Sequence, residues 1–195
     1  MQLDQGIKGF SFSKDGPLDM RMDPTSLLTA KEIVNHWSEK ALAALFRDCG
    51  EERKWRKAAS LIVAARKKKF FETTQELAEF LTSTLGRSRK KLHPATLVFQ
   101  ALRIAVNHEL EAIEKGLATA IKLLNPEGRI GVLSFHRLED RIVKNLFKMA
   151  ASAPKKGGTL PVLRLLTKKP LEPTLAEVRR NMRSRSAKLR CAEKL

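Results

Sequence analysis

The chain has 195 residues and carries 38 basic against 21 acidic side chains, a formal net charge of +17. A chain of this length buries roughly 70% of its unfolded surface, so stability requires neither disulfides nor metals, and the charge asymmetry points to a polyanionic partner, most simply a nucleic acid. No window approaches the ~18 uninterrupted apolar residues of a membrane span, no apolar leader is visible, and Cys49 and Cys191 share no metal or redox spacing; together these predict a soluble protein of the reducing cytoplasm with ordinary buried thiols.

Residues 1–26 are rich in Gly, Asp and Pro and predict irregular structure; the run GFSFSKDGPLDMRMDP is too dense in turn formers for a regular element. Thr29 with Glu32 predicts a capping box and a helix start. Ser38 predicts the cap of a second helix, with Leu42, Leu45 and Phe46 on one face. After Gly50, a basic helix is expected around 51–67, with Trp55, Ala59 and Ile62 inward. Thr73 with Glu76 predicts a second capping box and a helix to about Leu85, whose core face is Leu77, Phe80 and Leu81. Residues 86–93, GRSRKKLH, read as a basic loop.

Pro94 suits the first turn of a long helix. Leu102, Val106, Leu110, Ile113, Leu117, Ile121 and Leu124 step along it at threes and fours, with a break expected near Gly116. Asn125 to Gly128 form a turn. Ile130, Val132, Leu133 and Phe135 then predict a short strand buried on both faces. It ends in Ser134, Phe135, His136 and Arg137, and a helix follows with Leu138, Ile142, Leu146 and Met149 on one face. Residues 152–160 read as a flexible loop and Pro161 to Thr167 as a strand. Thr174 with Glu177 caps a short helix. Ser186 to Ala192 predict a final strand, with Ala187, Leu189 and Cys191 alternating against charged neighbours. The order is a helical module followed by the tail of an α/β sheet, and so few short strands make that sheet incomplete.

Function is sought first in the loop after the 130–135 strand, because open α/β sheets bind ligands beyond the carboxyl ends of their strands. A polar strand-to-helix turn on any surface would look the same. Basic residues cluster in three places: Arg53, Lys54, Arg56, Lys57, Arg66, Lys67, Lys68 and Lys69; then Arg87, Arg89, Lys90 and Lys91; then Arg179, Arg180, Arg183, Arg185, Lys188, Arg190 and Lys194. These predict phosphate contact. An anionic membrane surface is the weaker alternative, since no helix is both strongly basic and rich in large exposed apolar residues. Trp55, Phe70 and Phe71 lie among the bases as stacking residues do in RNA-binding surfaces; helix-core packing accounts for Trp55 equally well. Asp15, Asp19 and Asp23 either form an acidic lip or brace turns. His36, His93, His108 and His136 share no ligand spacing, so no metal is expected, and the glycines make no phosphate-binding loop.

Four segments together resemble the MraW/RsmH family of S-adenosylmethionine-dependent methyltransferases: GFSFSKDGPLDMRMD at 9–23, HPATLVFQALRIAVNHEL at 93–110, VLSFHRLEDRIVK at 132–144 and RSAKLRCAEKL at 185–195. The resemblance implies a Rossmann-like α/β methyltransferase sheet, present here as its C-terminal part, plus an inserted all-helical domain. Residues 1–23 would be a remnant of the methyltransferase core, 24–92 the inserted RNA-recognition domain, and 93–195 the C-terminal part, including an antiparallel hairpin. It implies methyl transfer to cytosine N4 of the small-subunit (16S) ribosomal RNA in the cytoplasm. Ser134, Phe135, His136, Glu139 and Asp140 would lie near the cleft, with Asp19 and Arg21 lining or bracing it and no residue singled out as general base. Arg53, Lys54, Lys57, Lys67, Lys68, Lys69, Arg87, Arg89, Lys90, Lys91, Arg183 and Arg185 would meet RNA.

The family's glycine-rich cofactor loop, its ribose-binding acidic residue and its DLGVSS-like segment have no counterpart in these residues. Gln2 is the one cofactor contact that carries over. The family's SFHSLEDR is here SFHRLEDR, with Arg137 in place of serine. These departures carry an alternative expectation, a catalytically inactive, N-terminally truncated RNA-binding remnant or fragment. A homodimer or a missing N-terminal half is the further expected partner, through an unpaired sheet edge.

Overall fold

The computed structural model describes residues 8–86, 93–152 and 160–195. Among these the chain is α/β, with eight α-helices and one three-stranded sheet. It divides into two compact units, Met1–Glu109 and Leu110–Leu195.

The first unit is helical. Its helices are α1 (Ala30–His36), α2 (Glu39–Asp48), α3 (Trp55–Arg66), α4 (Thr74–Leu85) and α5 (Thr96–Asn107). Helix α2 packs on α3 and α5, and α3 on α4. The core is built from Ile33, Leu42, Phe46, Ile62, Leu77, Leu81 and Leu102, all fully buried, together with Leu18 and Met20 from the N-terminal loop. Buried Asn35 joins the layers: its amide donates to the Phe71 carbonyl and its Oδ1 accepts the Phe71 N–H, at 2.9 and 3.0 Å. Thr73 and Glu76 make the complete capping box expected. Thr29 makes only half of one, accepting from Glu32 N–H, and the Glu32 carboxylate lies 3.8 Å from the His36 ring instead.

The loop before α1 is irregular, as expected, yet it is ordered by backbone bonds. Leu18 N–H donates to Glu72 O, Thr74 N–H to Gly16 O and Ala30 N–H to Asp19 O. Gly9 has φ +66°, and a Cβ there would lie 2.0 Å from the Pro17 carbonyl oxygen, so glycine alone fits.

The expected long helix over 94–124 is two helices, because His108 takes a left-handed conformation (φ 49°, ψ 39°). Asn107 beside it is spent on the N-terminal loop: its Oδ1 accepts Met22 N–H and its amide donates to Met20 O, both at 2.7 Å. Gly116 does not break the chain. It lies inside α6 (Glu109–Leu123), with open space around it.

The second unit contains most of α6, then β1 (Arg129–Ser134), α7 (Arg137–Ala151), β2 (Leu163–Leu165), α8 (Leu175–Arg180), a 3-10 helix (Met182–Ser186) and β3 (Lys188–Lys194). The sheet order is β1-β3-β2, with β3 central and antiparallel to both neighbours. Strands β1 and β2 therefore run parallel, joined through α7, with β3 between them. Leu117, Ile121, Val143, Phe147, Leu163 and Ala192 form the core.

Three expectations are corrected here. Strand β1 is not buried on both faces: Leu133 and the following Phe135 are each about half exposed. Helix α7 buries Leu138, Val143 and Phe147, so its inner face is rotated from the expected one, and Met149 is exposed. In β3 the buried residues are Arg190, Ala192 and Glu193 rather than Leu189 and Cys191. Cys49 and Cys191 form no disulfide and are only half-buried.

Candidate strand-end site and nucleic-acid interface

Beyond the carboxyl end of β1, the chain turns at Phe135 and His136 into α7. A helix start leaves its first N–H groups without partners, and this one solves the problem with a histidine. His136 caps α7, its Nδ1 accepting Glu139 N–H at 3.3 Å. The Glu139 carboxylate reaches back, accepting Phe135 N–H at 2.7 Å and His136 N–H at 3.1 Å. With Nδ1 at the cap, Nε2 is the ring nitrogen left over. That atom is buried and lies 3.2 Å from Glu139 Oε1, off the line of a good hydrogen bond. Burial pushes the Glu139 carboxyl up, but the His136 ring and the two backbone N–H donors outweigh it, and the group is held below the ordinary glutamate range.

Asp140 is engaged elsewhere. Arg190 of β3 donates to both its oxygens, at 2.7 and 3.1 Å, and the Lys188 amine is 3.9 Å away. The Arg190 hydrogen bond is the main cause holding the Asp140 carboxyl below the ordinary aspartate range. Ser134 Oγ donates to Lys188 O at 3.3 Å. The structure thus brings Ser134, Phe135, His136, Glu139 and Asp140 together. It uses His136 and Glu139 as a cap and Asp140 as a brace between helix and sheet. The Phe135 ring, half exposed, is the side chain left facing outward.

Arg190, expected with the C-terminal basic cluster to meet phosphate, is instead buried against Asp140. The only signal for it in the sequence is a charge within an alternating strand, and its partner stands 50 positions away.

In the first unit, Arg21 grips Asp19 with two hydrogen bonds of 2.8 Å and donates to Pro24 O and Ser26 O. The Arg21 bond holds the Asp19 carboxyl low. Asp15 accepts Gly16 and Gln75 N–H groups, and Asp23 accepts the Thr25 N–H and hydroxyl. All three aspartates brace turns rather than form an acidic lip.

Arg53, Lys57, Lys67, Lys68 and Lys69 are exposed on the helical unit. Lys54 donates to the Leu85 carbonyl and Lys69 pairs with Glu76. Arg183 and Arg185 are exposed in the second unit. Of the expected stacking residues, Phe71 is core, Phe70 is half exposed against the His36 ring at 5.4 Å, and Trp55 is only partly buried. Trp55 lies under the Arg56 guanidinium, 3.9 Å from its ring centroid, with Arg47 at 5.4 Å. Gln2, Arg87, Arg89, Lys90 and Lys91 lie outside the described residues.

The sequence profile of the MraW methylase family matches residues 1–195. The chain belongs to the MraW methylase family. Similar relatives include the ribosomal RNA small subunit methyltransferase H of Protochlamydia amoebophila, 52% identical over all of this chain and 65% of that protein. Those of Carboxydothermus hydrogenoformans and Thermomicrobium roseum are 49% and 50% identical over all of this chain, and it covers 65% and 62% of their lengths. The chain thus spans a little under two thirds of these relatives.

Membership implies S-adenosylmethionine as methyl donor, and the described strand-end loop does not fit that cofactor by itself. A ribose needs acceptors for two hydroxyls, and with both Asp140 oxygens on Arg190 and Glu139 Oε2 on the cap, a single carboxylate oxygen, Glu139 Oε1, is left here. No helix among the described residues is long and apolar enough to cross a membrane.

Proposed function

We propose that the protein transfers a methyl group from S-adenosylmethionine to the N4 amine of a cytosine in the 16S RNA of the small ribosomal subunit, in the cytoplasm. The observation carrying this is the match of the whole chain to a family whose relatives are named ribosomal RNA small subunit methyltransferases. The net charge of +17 and the exposed bases of α3 and the segment after it suit an RNA substrate.

In this reading, residues 24–92 are an inserted helical domain that grips RNA, assisted by Arg183 and Arg185. Residues 1–23 and 93–195 belong to the methyltransferase part, whose sheet is Rossmann-like, with Gln2 toward the cofactor. Cytosine N4 is a weak nucleophile, because its lone pair is delocalised into the ring. The rate then depends on holding the amine in line with the methyl group, an effect worth ~7–11 kcal/mol when fully realised. Phe135 presents a flat apolar face against which the base is held. His136, Glu139 and Asp140 fix the loop that carries it, and Asp19 and Arg21 fix the loop before α1.

The test supplies the protein with tritiated S-adenosylmethionine and small ribosomal subunits lacking the modification. Label confined to one cytosine as N4-methylcytidine is expected. Label on a ring carbon or another base overturns the N4 assignment. A second reading, RNA binding without catalysis, is favoured by the structural use of Asp140 and of Glu139 Oε2 in the strand-end loop. It is the one left standing if RNA binds with steep salt dependence and no label transfers.

A further inference from the structure

We propose that the groove between α2 and the start of α3 is a binding site for one unpaired nucleotide, with the base stacked on Trp55 and its phosphate held by Arg47, Arg56 and Lys40. This rests on the reading that the substrate is RNA, and adds to it a discrete anchor within the helical unit.

The groove has a volume of about 600 Å³ and is lined by Glu39, Lys40, Ala43, Ala44, Arg47, Trp55 and Arg56. That is within the ~300–1,000 Å³ of small-ligand sites. Its construction follows from the sequence. Positions 39, 40, 43, 44 and 47 form one stripe of α2. The two alanines keep its middle low, and the stripe's ends carry charge. Trp55, the first residue of α3, stands against it. The lining holds three cations and a single carboxylate, Glu39. Among the described residues no carboxylate pairs with Lys40 or Arg56, whereas Arg47 pairs with Asp48 at 2.7 Å.

Two features select a nucleotide. A planar group already lies on the indole: the Arg56 guanidinium, 3.9 Å from the ring centroid. That is a stacking distance, so this face of Trp55 already accepts a cationic partner lying over it. Trp55 packs against the helical core and yet stays partly exposed at a helix start, beside the groove. The second feature is charge. Arg53 and Lys57 continue the positive surface along α3, as a backbone leading into and out of the groove requires. On binding, the base replaces the Arg56 guanidinium on the indole, and the released guanidinium pairs with the phosphate. A duplex cannot offer its base faces, so the site selects unpaired RNA.

The test uses the full chain with Trp37→Phe, which leaves Trp55 as the sole indole. A 10-nucleotide single-stranded oligocytidylate is titrated and indole fluorescence followed, beside a duplex RNA of equal length. Quenching by the single strand and not by the duplex is expected. Trp55→Ala should weaken single-strand binding about tenfold, a single stacking contact, without changing the slope of log affinity against log salt. Trp55→Phe should recover most of the loss. Arg56→Ala should lower the slope by about 0.7, the share of one phosphate on a single strand. Equal affinity of Trp55→Ala, read from the anisotropy of a labelled oligocytidylate, together with no quenching in the Trp55-bearing chain overturns the inference while leaving RNA recognition standing. Absence of binding to either RNA overturns both. Quenching by polyglutamate but not by the oligonucleotide identifies an acidic peptide site and overturns the nucleotide assignment.

Discussion

Removing the Asp140 carboxylate tests how the second unit is held together. Asp140 on α7 and Arg190 on β3 are joined by two charge-assisted hydrogen bonds of 2.7 and 3.1 Å, with side-chain exposures of 13 and 9%. Asp140→Ala leaves the guanidinium almost buried and without its partner. Breaking a buried pair from one side costs about 3–5 kcal/mol, and water reaching the rim lowers that to about 3 kcal/mol here. With a urea slope near 2 kcal/mol/M, the unfolding midpoint followed by far-UV circular dichroism should fall by about 1.5 M. Hydrogen exchange should quicken first at the β3 and α7 amides. Asp140→Ala combined with Arg190→Met leaves no stranded charge, and should recover at least half of the loss.

The pH dependence has a fixed sign. The folded-state pKa of Asp140 lies below the ordinary value of 3.8, chiefly through the Arg190 bond. Its contribution is therefore complete above about pH 4 and vanishes as pH falls through the folded value. Wild type and Asp140→Ala should converge in stability on acidification. A midpoint shift below 0.3 M at pH 7, or a double variant no better than additive, would refute the bracing role.

His136→Ala should cost about 1 kcal/mol through loss of the α7 cap, while His136→Asn, which retains an acceptor at the same position, should cost much less; thermal unfolding of the two variants separates a capping role from a chemical one. Gly9→Ala should destabilise by about 2–4 kcal/mol, since the residue has positive φ and the new methyl meets the Pro17 carbonyl. Gly116→Ala, in open space within α6, should instead stabilise by about 0.5–1 kcal/mol. Opposite shifts in melting temperature are the expected result, and shifts of the same sign would contradict the local geometry.

What local chemistry dictates was readable in the chain. Ser38, Thr73 and Thr174 cap helices where a hydroxyl before an apolar stripe says they should. Asn125 to Gly128 turn as their residue types require, and the four segments that mark the family are contiguous strings. The loop at His136 was legible as a location, because it follows a strand and opens a helix. Its working was not, since a histidine cap is a rare choice and only the fold shows Nδ1 facing Glu139 N–H.

Tertiary structure decided the rest. The pattern in β3 placed Leu189 and Cys191 inward, and the fold buries Arg190 instead, because Asp140 of α7 waits above that face and makes a charge acceptable there. The helix over 94–124 breaks at His108 rather than at Gly116. Asn107 is drawn into hydrogen bonds with Met20 and Met22, and neither partner is near it in sequence. Trp55 has the spacing of a core residue and does pack on the core, and only the fold shows it partly exposed with an arginine over its ring. Sequence periodicity tells which residues share a face of one element. Which face another element covers, and with what charge, depends on partners dozens of residues away.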